Sequence, residues 1–280
     1  MTKNFHRFFL LATLSFSLAA CGSTTETSTS KLGDSAAAPV AQETTIRVGA
    51  NVGFAPFEFM EGDQLVGVEI DILTEVGKRL NSKVEWINTP WNGMFAALRA
   101  GKFDVAIAGI TIKPERLKEL DFTSPYYDND QGLTVRADSG IKSVDDLKGK
   151  IVGVAGGTTG HQWAEDNKEK YGFKDIKLYN STQESMMDLQ AGRIDGELHD
   201  IPASEYYVKD KKELAVVQRI ATNEKFGLAF KKGNPLRDEV NRVIDEMKKD
   251  GTLASIYKKW FGKDPEKDGS TVTILPVPTN

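Results

Sequence analysis

From Thr45 onward the chain alternates between short strand-like apolar runs and stretches with helical spacing, and few folds accommodate that alternation. Thr45–Ala50 alternates apolar and polar residues and closes on Gly49-Ala50. Ile70, Leu73, Val76, Gly77 and Leu80 follow at helical spacing, Lys83–Ile87 reads as a strand, and Trp91–Arg99 as a helix with Met94, Phe95 and Leu98 inward, stopping near Gly101. Phe103–Ala108 is a further strand. The pattern then restarts: strands at Gly132–Val135, Ile151–Ala155, Ile176–Tyr179 and Arg193–Leu198 are interleaved with a helical turn at Ser143–Leu147 and helices at Thr158–Lys170 and Thr182–Gln190. Tyr206 and Tyr207 lie on another helix, and Phe226–Phe230 is a strand again. Asn234-Pro235 gives an N-cap and a first-turn proline to a helix whose apolar face is Val240, Val243, Ile244 and Met247. Leu253, Ile256, Tyr257 and Trp260 continue that face to a stop at Gly262. Two α/β units with parallel pairing are expected, without a repeat of fixed period. Asp264–Asn280 holds three prolines and no helical period, and is expected to be a loose tail.

The chain has 280 residues, enough for one large domain or two ordinary ones, and 40% are apolar, so a sizeable core can be buried. A formal charge of −4, with basic residues scattered among acids, argues against nucleic acid as a partner. The N-terminus reads as a signal peptide over residues 1–20: a basic start at Lys3, His6 and Arg7, then an apolar run from Phe8 to Ala20 that is too short to span a bilayer. It ends Leu18-Ala19-Ala20-Cys21, which resembles a bacterial lipobox and implies cleavage before Cys21 and lipid attachment to its sulfur. Because Cys21 is the only cysteine, there are no intramolecular disulfides to consider. Residues 21–44, rich in Ser, Thr, Ala and Gly, read as a flexible tether. A lipid, a tether and a soluble body describe a protein held at the cell membrane and facing the periplasm or cell exterior.

Within the body, Ala108-Gly109-Ile110-Thr111-Ile112-Lys113-Pro114-Glu115-Arg116 follows a strand. Gly109 permits close backbone approach, Thr111 adds a hydroxyl, Pro114 starts a helix, and the Arg116 guanidinium is suited to grip a carboxylate. The competing reading is a strand, a turn and a surface arginine. Val152-Gly153-Val154-Ala155-Gly156-Gly157-Thr158-Thr159-Gly160 is a second strand-turn-helix, with bare backbone N–H groups at a helix start where an anion is favoured. It lacks the Gly-Lys-Ser/Thr ending of a phosphate loop and a complete G-x-G-x-x-G, so a carboxylate is the simpler guest; a tight turn needing small residues is the alternative. Phe54 and Trp91 sit just past strand ends, where parallel sheets bind ligands, although core or lid packing is the commoner fate of an aromatic. His199-Asp200 ends the Ile194–Leu198 segment, where an acid can meet an ammonium or cap the helix that Ile201-Pro202 opens. Catalytic patterns are scarce: three histidines, no metal-ligand spacing, no G-x-S-x-G. Neither a metal nor a cofactor is expected.

These residues resemble the extracellular solute-binding proteins (family 3) of bacterial ABC importers, in the branch that binds polar amino acids, with glutamine- and histidine/lysine/arginine-binding members closest. The resemblance runs from about Thr45 to Gly262 and rests on Phe54-Ala55-Pro56-Phe57-Glu58-Phe59, Gly67–Ile72, Ala97–Asp104, Gly109-Ile110-Thr111 to Arg116, Asp121–Tyr127, Gly157-Thr158-Thr159, His199-Asp200 and Tyr257–Gly262. It implies a two-lobed periplasmic-binding-protein fold (type II): lobe 1 at residues 45–127 plus 226–263, lobe 2 at 132–221, and hinge crossings near Tyr126–Gln131 and Ala221–Phe226. It further implies that Arg116 pairs bidentately with a ligand α-carboxylate, helped by the Thr159 hydroxyl or N–H. The Gly109 carbonyl, Thr111 hydroxyl and Asp200 carboxylate would receive the α-ammonium, and Phe54 and Trp91 would flank the side chain. Two departures bear on the substrate. Asn51 stands where relatives carry an Asp, which weakens preference for Lys or Arg, and Ala155 stands where the glutamine binder has a Lys. His199 matches the glutamine binder. The expectation is a monomeric, non-enzymatic protein that delivers a free polar amino acid, glutamine slightly ahead of arginine, to a membrane ABC permease. Rival expectations are a periplasmic dehydratase of cyclohexadienyl acids, with His199 or Glu58 as general acid, and a sensor without transport.

Overall fold

A computed structural model describes residues 44–279. The signal peptide, Cys21 and the tether up to residue 43 lie outside the described residues. Among the described residues no helix is long and apolar enough to cross a membrane.

The first half builds a five-stranded sheet. β1 (Thr44–Ala50) pairs in parallel with β4 (Ser82–Asn88) and with β5 (Val105–Ile107). β12 (Ala229–Lys231) runs antiparallel to β5 and to β6 (Leu120–Phe122). Four strands therefore point one way and β12 runs against them, in the order β4-β1-β5-β12-β6. A small hairpin, β2 (Phe59–Glu61) with β3 (Gln64–Val66), precedes α1 (Val68–Arg79). Inward residues of β1 (Ile46, Val48, Ala50) pack with α1, α7 (Leu236–Lys249) and α8 (Thr252–Phe261). On the opposite face α2 (Trp91–Arg99) buries Met94 and Leu98 against Phe103 and Ala106. Gly49 faces that side because a Cβ there would lie 2.3 Å from the Phe103 ring.

The second sheet follows the same plan, β11-β7-β10-β8-β9. Its strands are β7 (Tyr127–Arg136), β8 (Ile151–Ala155), β9 (Asp175–Tyr179), β10 (Gly196–Asp200) and β11 (Leu214–Phe226). β10, β8 and β9 pair in parallel, and β7 runs antiparallel to both β10 and β11, so again one strand of five is reversed. α4 (Thr159–Tyr171), α5 (Thr182–Gln190) and α6 (Ile201–Val208) cover it. Two lobes result, joined where β7 leaves the first and β11 returns to it.

The alternation read from sequence is present, with three differences. The strand expected at Arg193–Leu198 begins at Gly196 and runs to Asp200, which puts His199 and Asp200 on its final residues. β11 is one 13-residue strand where a crossing was expected only at 221–226, and the strand expected at Phe226–Phe230 is broken at Gly227 and Leu228 before β12. β11 is half-exposed along much of its length, so it lacks an apolar run to announce it. The third difference is the C-terminal segment. The loose tail expected from Asp264 is instead anchored: Ser270 and Thr271 are buried, Ser270 donates to Asp128 from both N–H and Oγ at 2.6 Å, and Thr271 Oγ1 donates to the Tyr126 carbonyl at 3.0 Å.

Candidate ligand cleft between the lobes

The carboxyl ends of the strands in both sheets open onto one cleft of about 280 Å³, and Asn51, Phe54, Trp91, Gly109, Thr111, Arg116, Thr159, His199 and Asp200 all line it. All nine residues singled out in the body are thus brought together, and Ala155 joins them.

Arg116 sits in α3 (Pro114–Leu117), which Pro114 opens. Arg116 as a whole is 8% exposed, with Nη1 donating to the Thr111 carbonyl at 2.8 Å and Nη2 reaching the Gly157 carbonyl of the other lobe at 3.4 Å. It lies over the Trp91 and Phe95 rings at 5.3 and 5.1 Å. Burial pulls its pKa down to about 10, against the pull of Asp200 and Glu224, so it stays cationic at neutral pH. These partners fix the fork while neutralising none of its charge.

Gly109 has φ +53°, and a Cβ there would come within 2.5 Å of the Phe54 ring, so only glycine fits this turn. Its N–H donates backward to Glu69 Oε2 at 3.0 Å. Glu69 also accepts from the Tyr126 hydroxyl at 2.6 Å, and Glu58 is wholly buried beside it. Burial, reinforced by Glu69, raises the Glu58 carboxyl well above the carboxylate range. Glu58 belongs to the support behind the turn and does not line the cleft.

Opposite, Thr158 caps α4 by accepting from the His161 N–H at 3.1 Å, which leaves Thr159 as the first helical residue, its N–H at the positive end of the helix dipole. Trp91 Nε1 crosses the cleft to the Gly156 carbonyl at 3.0 Å. Phe54 stacks on Phe57 at 5.3 Å and meets His199 edge-on at 5.4 Å. Burial lowers the His199 imidazole to about 4, so it is neutral at pH 7. His199 Nε2 is 3.2 Å from the Thr182 hydroxyl. Asp200 ends β10 with Oδ1 accepting from Asn129 at 2.6 Å and from Gln131 at 3.0 Å. Burial, then the nearby Glu224 charge, raise its carboxyl above the usual range.

The description "bacterial extracellular solute-binding proteins, family 3" matches residues 46–263. The chain belongs to this family. The L-cystine-binding protein of Escherichia coli strain K12 is 37% identical over 233 residues, covering 81% of this chain and 86% of the relative. An ancestral arginine-binding protein bound to arginine superposes with a TM-score of 0.74 at 39% identity, covering 79% of this chain and 99% of that one. An ancestral arginine-binding protein bound to glutamine gives 0.74 at 37%, covering 79% and 100%. The fold is the type II periplasmic-binding-protein fold.

Sequence reasoning missed three residues that stand behind the wall of this solute-binding protein's cleft. Asn129 and Gln131, on one face of β7, and Glu224, on β11, are held together by hydrogen bonds. Glu224 Oε2 accepts from the Thr111 hydroxyl of lobe one at 2.8 Å and from the Thr159 hydroxyl of lobe two at 2.9 Å. Nothing in sequence marks Glu224 among 40 acids. Its partners come from three separate elements, and only folding assembles them.

Proposed function

We propose that this solute-binding protein captures a free polar α-amino acid between its lobes and hands it to an ABC permease. The observation that carries this reading is the charge layout of the cleft. An arginine without a carboxylate partner and a helix N-terminus stand at one side, and Asp200, held by two amides but bonded to no cationic side chain, at the other. A zwitterionic head group supplies the missing partner to each. Its carboxylate lies on Arg116 and the Thr159 N–H, and its ammonium on Asp200, the Thr111 hydroxyl and the Gly109 carbonyl. Charge-assisted hydrogen bonds net roughly 1.5–3 kcal/mol each, so a few, less the cost of closure, reach the roughly −8 kcal/mol of micromolar binding.

The side-chain end offers Asn51, Phe54, Trp91, Thr182, Gln183 and His199, an amide- and hydroxyl-bearing wall with a neutral imidazole. This favours glutamine slightly ahead of arginine; relatives that hold arginine, glutamine and cystine put those three first for testing. Residues 45–127 with 226–263 and residues 132–221 act as the two closing bodies. A Cys21 lipid and the 21–44 tether hold the monomer at the membrane, outside the cytoplasm. Neither residue that a dehydratase reading calls on as its acid suits the part: Glu58 faces the core and His199 is neutral at pH 7.

The test is calorimetry of purified, ligand-stripped protein against the twenty amino acids and cystine. Micromolar or tighter binding of a polar member is expected, and Arg116→Ala should weaken it at least a hundredfold with an unchanged circular dichroism spectrum. Failure to bind any of them, or unaltered affinity in the arginine variant, overturns the assignment.

A further inference from the structure

Glu224 reaches across both lobes without lining the cleft. It lies behind Thr111 and Thr159, on the wall of a separate shallow depression. Both its oxygens accept from Gln131 Nε2, at 3.1 and 3.3 Å, and Oε2 accepts from Asn129 Nδ2 at 3.3 Å. With amide protons aimed at it from below, its remaining bonds, to the two threonine hydroxyls at 2.8 and 2.9 Å, must be donated by the threonines. A hydroxyl has one proton, so each threonine has spent its own on Glu224; Thr159 Oγ1 also accepts from Gln131 Nε2 at 3.2 Å, and all that either hydroxyl has left to offer the cleft is a lone pair.

We propose that Glu224 is a positioning residue of the binding site: by taking the hydroxyl protons of Thr111 and Thr159 it makes both threonines obligate acceptors, and so builds, with Asp200, a three-oxygen receptor for a ligand ammonium that spans the two lobes. The Thr159 hydroxyl is then closed to the ligand carboxylate, which is left to Arg116 and the Thr159 N–H. Because Thr111 belongs to lobe one and Thr159 to lobe two, the carboxylate on β11 orients the receptor only when the lobes come together. Capture of an ammonium and closure become one event. Two buried orphans fit this picture: Asn129 Oδ1 and Gln131 Oε1 have no hydrogen-bond partner, because both amides present their NH2 groups to the two carboxylates.

This inference rests on the amino acid reading of the cleft, and the experiment separates the two. L-glutamine, L-arginine, L-histidine and L-cystine are titrated in turn into wild-type protein, Glu224→Gln, Glu224→Asp, the double variant Thr111→Val/Thr159→Val, and that double variant carrying Glu224→Gln. Glu224→Gln replaces an acceptor with an amide that can donate to the hydroxyls, and should weaken binding at least tenfold while the melting temperature is retained. Glu224→Asp keeps an acceptor-only group and should lose less. With both threonine hydroxyls gone, Glu224→Gln should change affinity less than threefold, since nothing remains for Glu224 to orient. An unchanged Kd in Glu224→Gln, a greater loss in Glu224→Asp, or an equal tenfold loss in both backgrounds overturns the proposal while leaving the amino acid reading intact. Wild-type protein that takes up none of these four, nor any of the other amino acids, overturns both.

Discussion

Glu197 sits wholly inside the second lobe, one carboxyl oxygen accepting from Ser185 at 3.0 Å and the other without a partner. Burial pushes this carboxyl up to about 8, from 4.5 in an open chain. Between those two values the folded protein holds a proton that the unfolded chain has shed, so stability falls as pH rises through the window. The slope approaches 1.4 kcal/mol per pH unit. Glu197→Gln removes this titration and keeps the shape. Its melting temperature should gain on the wild type from pH 5 up to about pH 8 and level off above that, and melts with parallel pH slopes would refute the assignment. Asp200, Glu58 and Glu69 slope the same way but are common to both proteins, so the difference isolates Glu197. None of this was legible in sequence, where Glu197 is an acid in an otherwise ordinary strand. Arg116 was legible because Gly109, Pro114 and a strand end surround it, and each has its own backbone consequence. Burial of a carboxylate leaves no such local mark.

At the scale of elements, the C-terminal segment is the largest departure from expectation. The family match ends at residue 263, yet the chain beyond it clasps the base of the hinge. Besides its two bonds to Asp128, Ser270 Oγ accepts from Lys225 of β11 at 3.1 Å. Lys248 of α7 bonds the Pro125 carbonyl at 2.7 Å and the Thr273 carbonyl at 3.0 Å. The segment is invisible to periodicity because it forms no regular element, and its partners lie from 25 to 145 residues away. β11 escaped for a related reason: a half-solvated strand carries no apolar run, whereas buried strands such as β5 and β8 do. Removing residues 264–280 strips two hydrogen bonds from a charged carboxylate and one from a buried amine, each worth about 1.5–3 kcal/mol, against which the ordering of a short segment is recovered. A net loss of about 2 kcal/mol lowers the melting temperature of a domain this size by about 4–8 °C. The truncated protein should show that drop by calorimetry with the fold retained. An unchanged melting temperature would mean that the clasp contributes nothing.

For the whole molecule the question is how firmly the lobes hold each other before a ligand does. Three hydrogen bonds from side chains to backbone cross the cleft: Trp91 to Gly156 at 3.0 Å, Arg116 to Gly157 at 3.4 Å, and Gln183 to Gly53. Each nets about 0.5–1.5 kcal/mol, so together they supply a few kcal/mol, less than the roughly 5.5 kcal/mol that carries a two-state equilibrium from one extreme to the other. The closed form is therefore within reach of the unliganded protein, and the proposed zwitterion bridging Arg116 and Asp200 would provide the rest. That two lobes exist was readable from the restart of the strand-helix pattern. Which carbonyls Trp91 and Gln183 would meet was not, because the turns concerned are 65 and 130 residues distant. Trp91→Phe keeps an aromatic wall and deletes one donor, and so isolates this term. Small-angle scattering should give the unliganded variant a radius of gyration at or above that of the unliganded wild type, with both contracting to a common value when saturated with the bound amino acid. Its affinity should fall three- to tenfold, the share of a single cross-cleft bond. Should the variant bind as tightly as the wild type and scatter identically in both states, the Trp91–Gly156 bond has no part in closure, and the preference for the closed form must come from the hinge strands themselves.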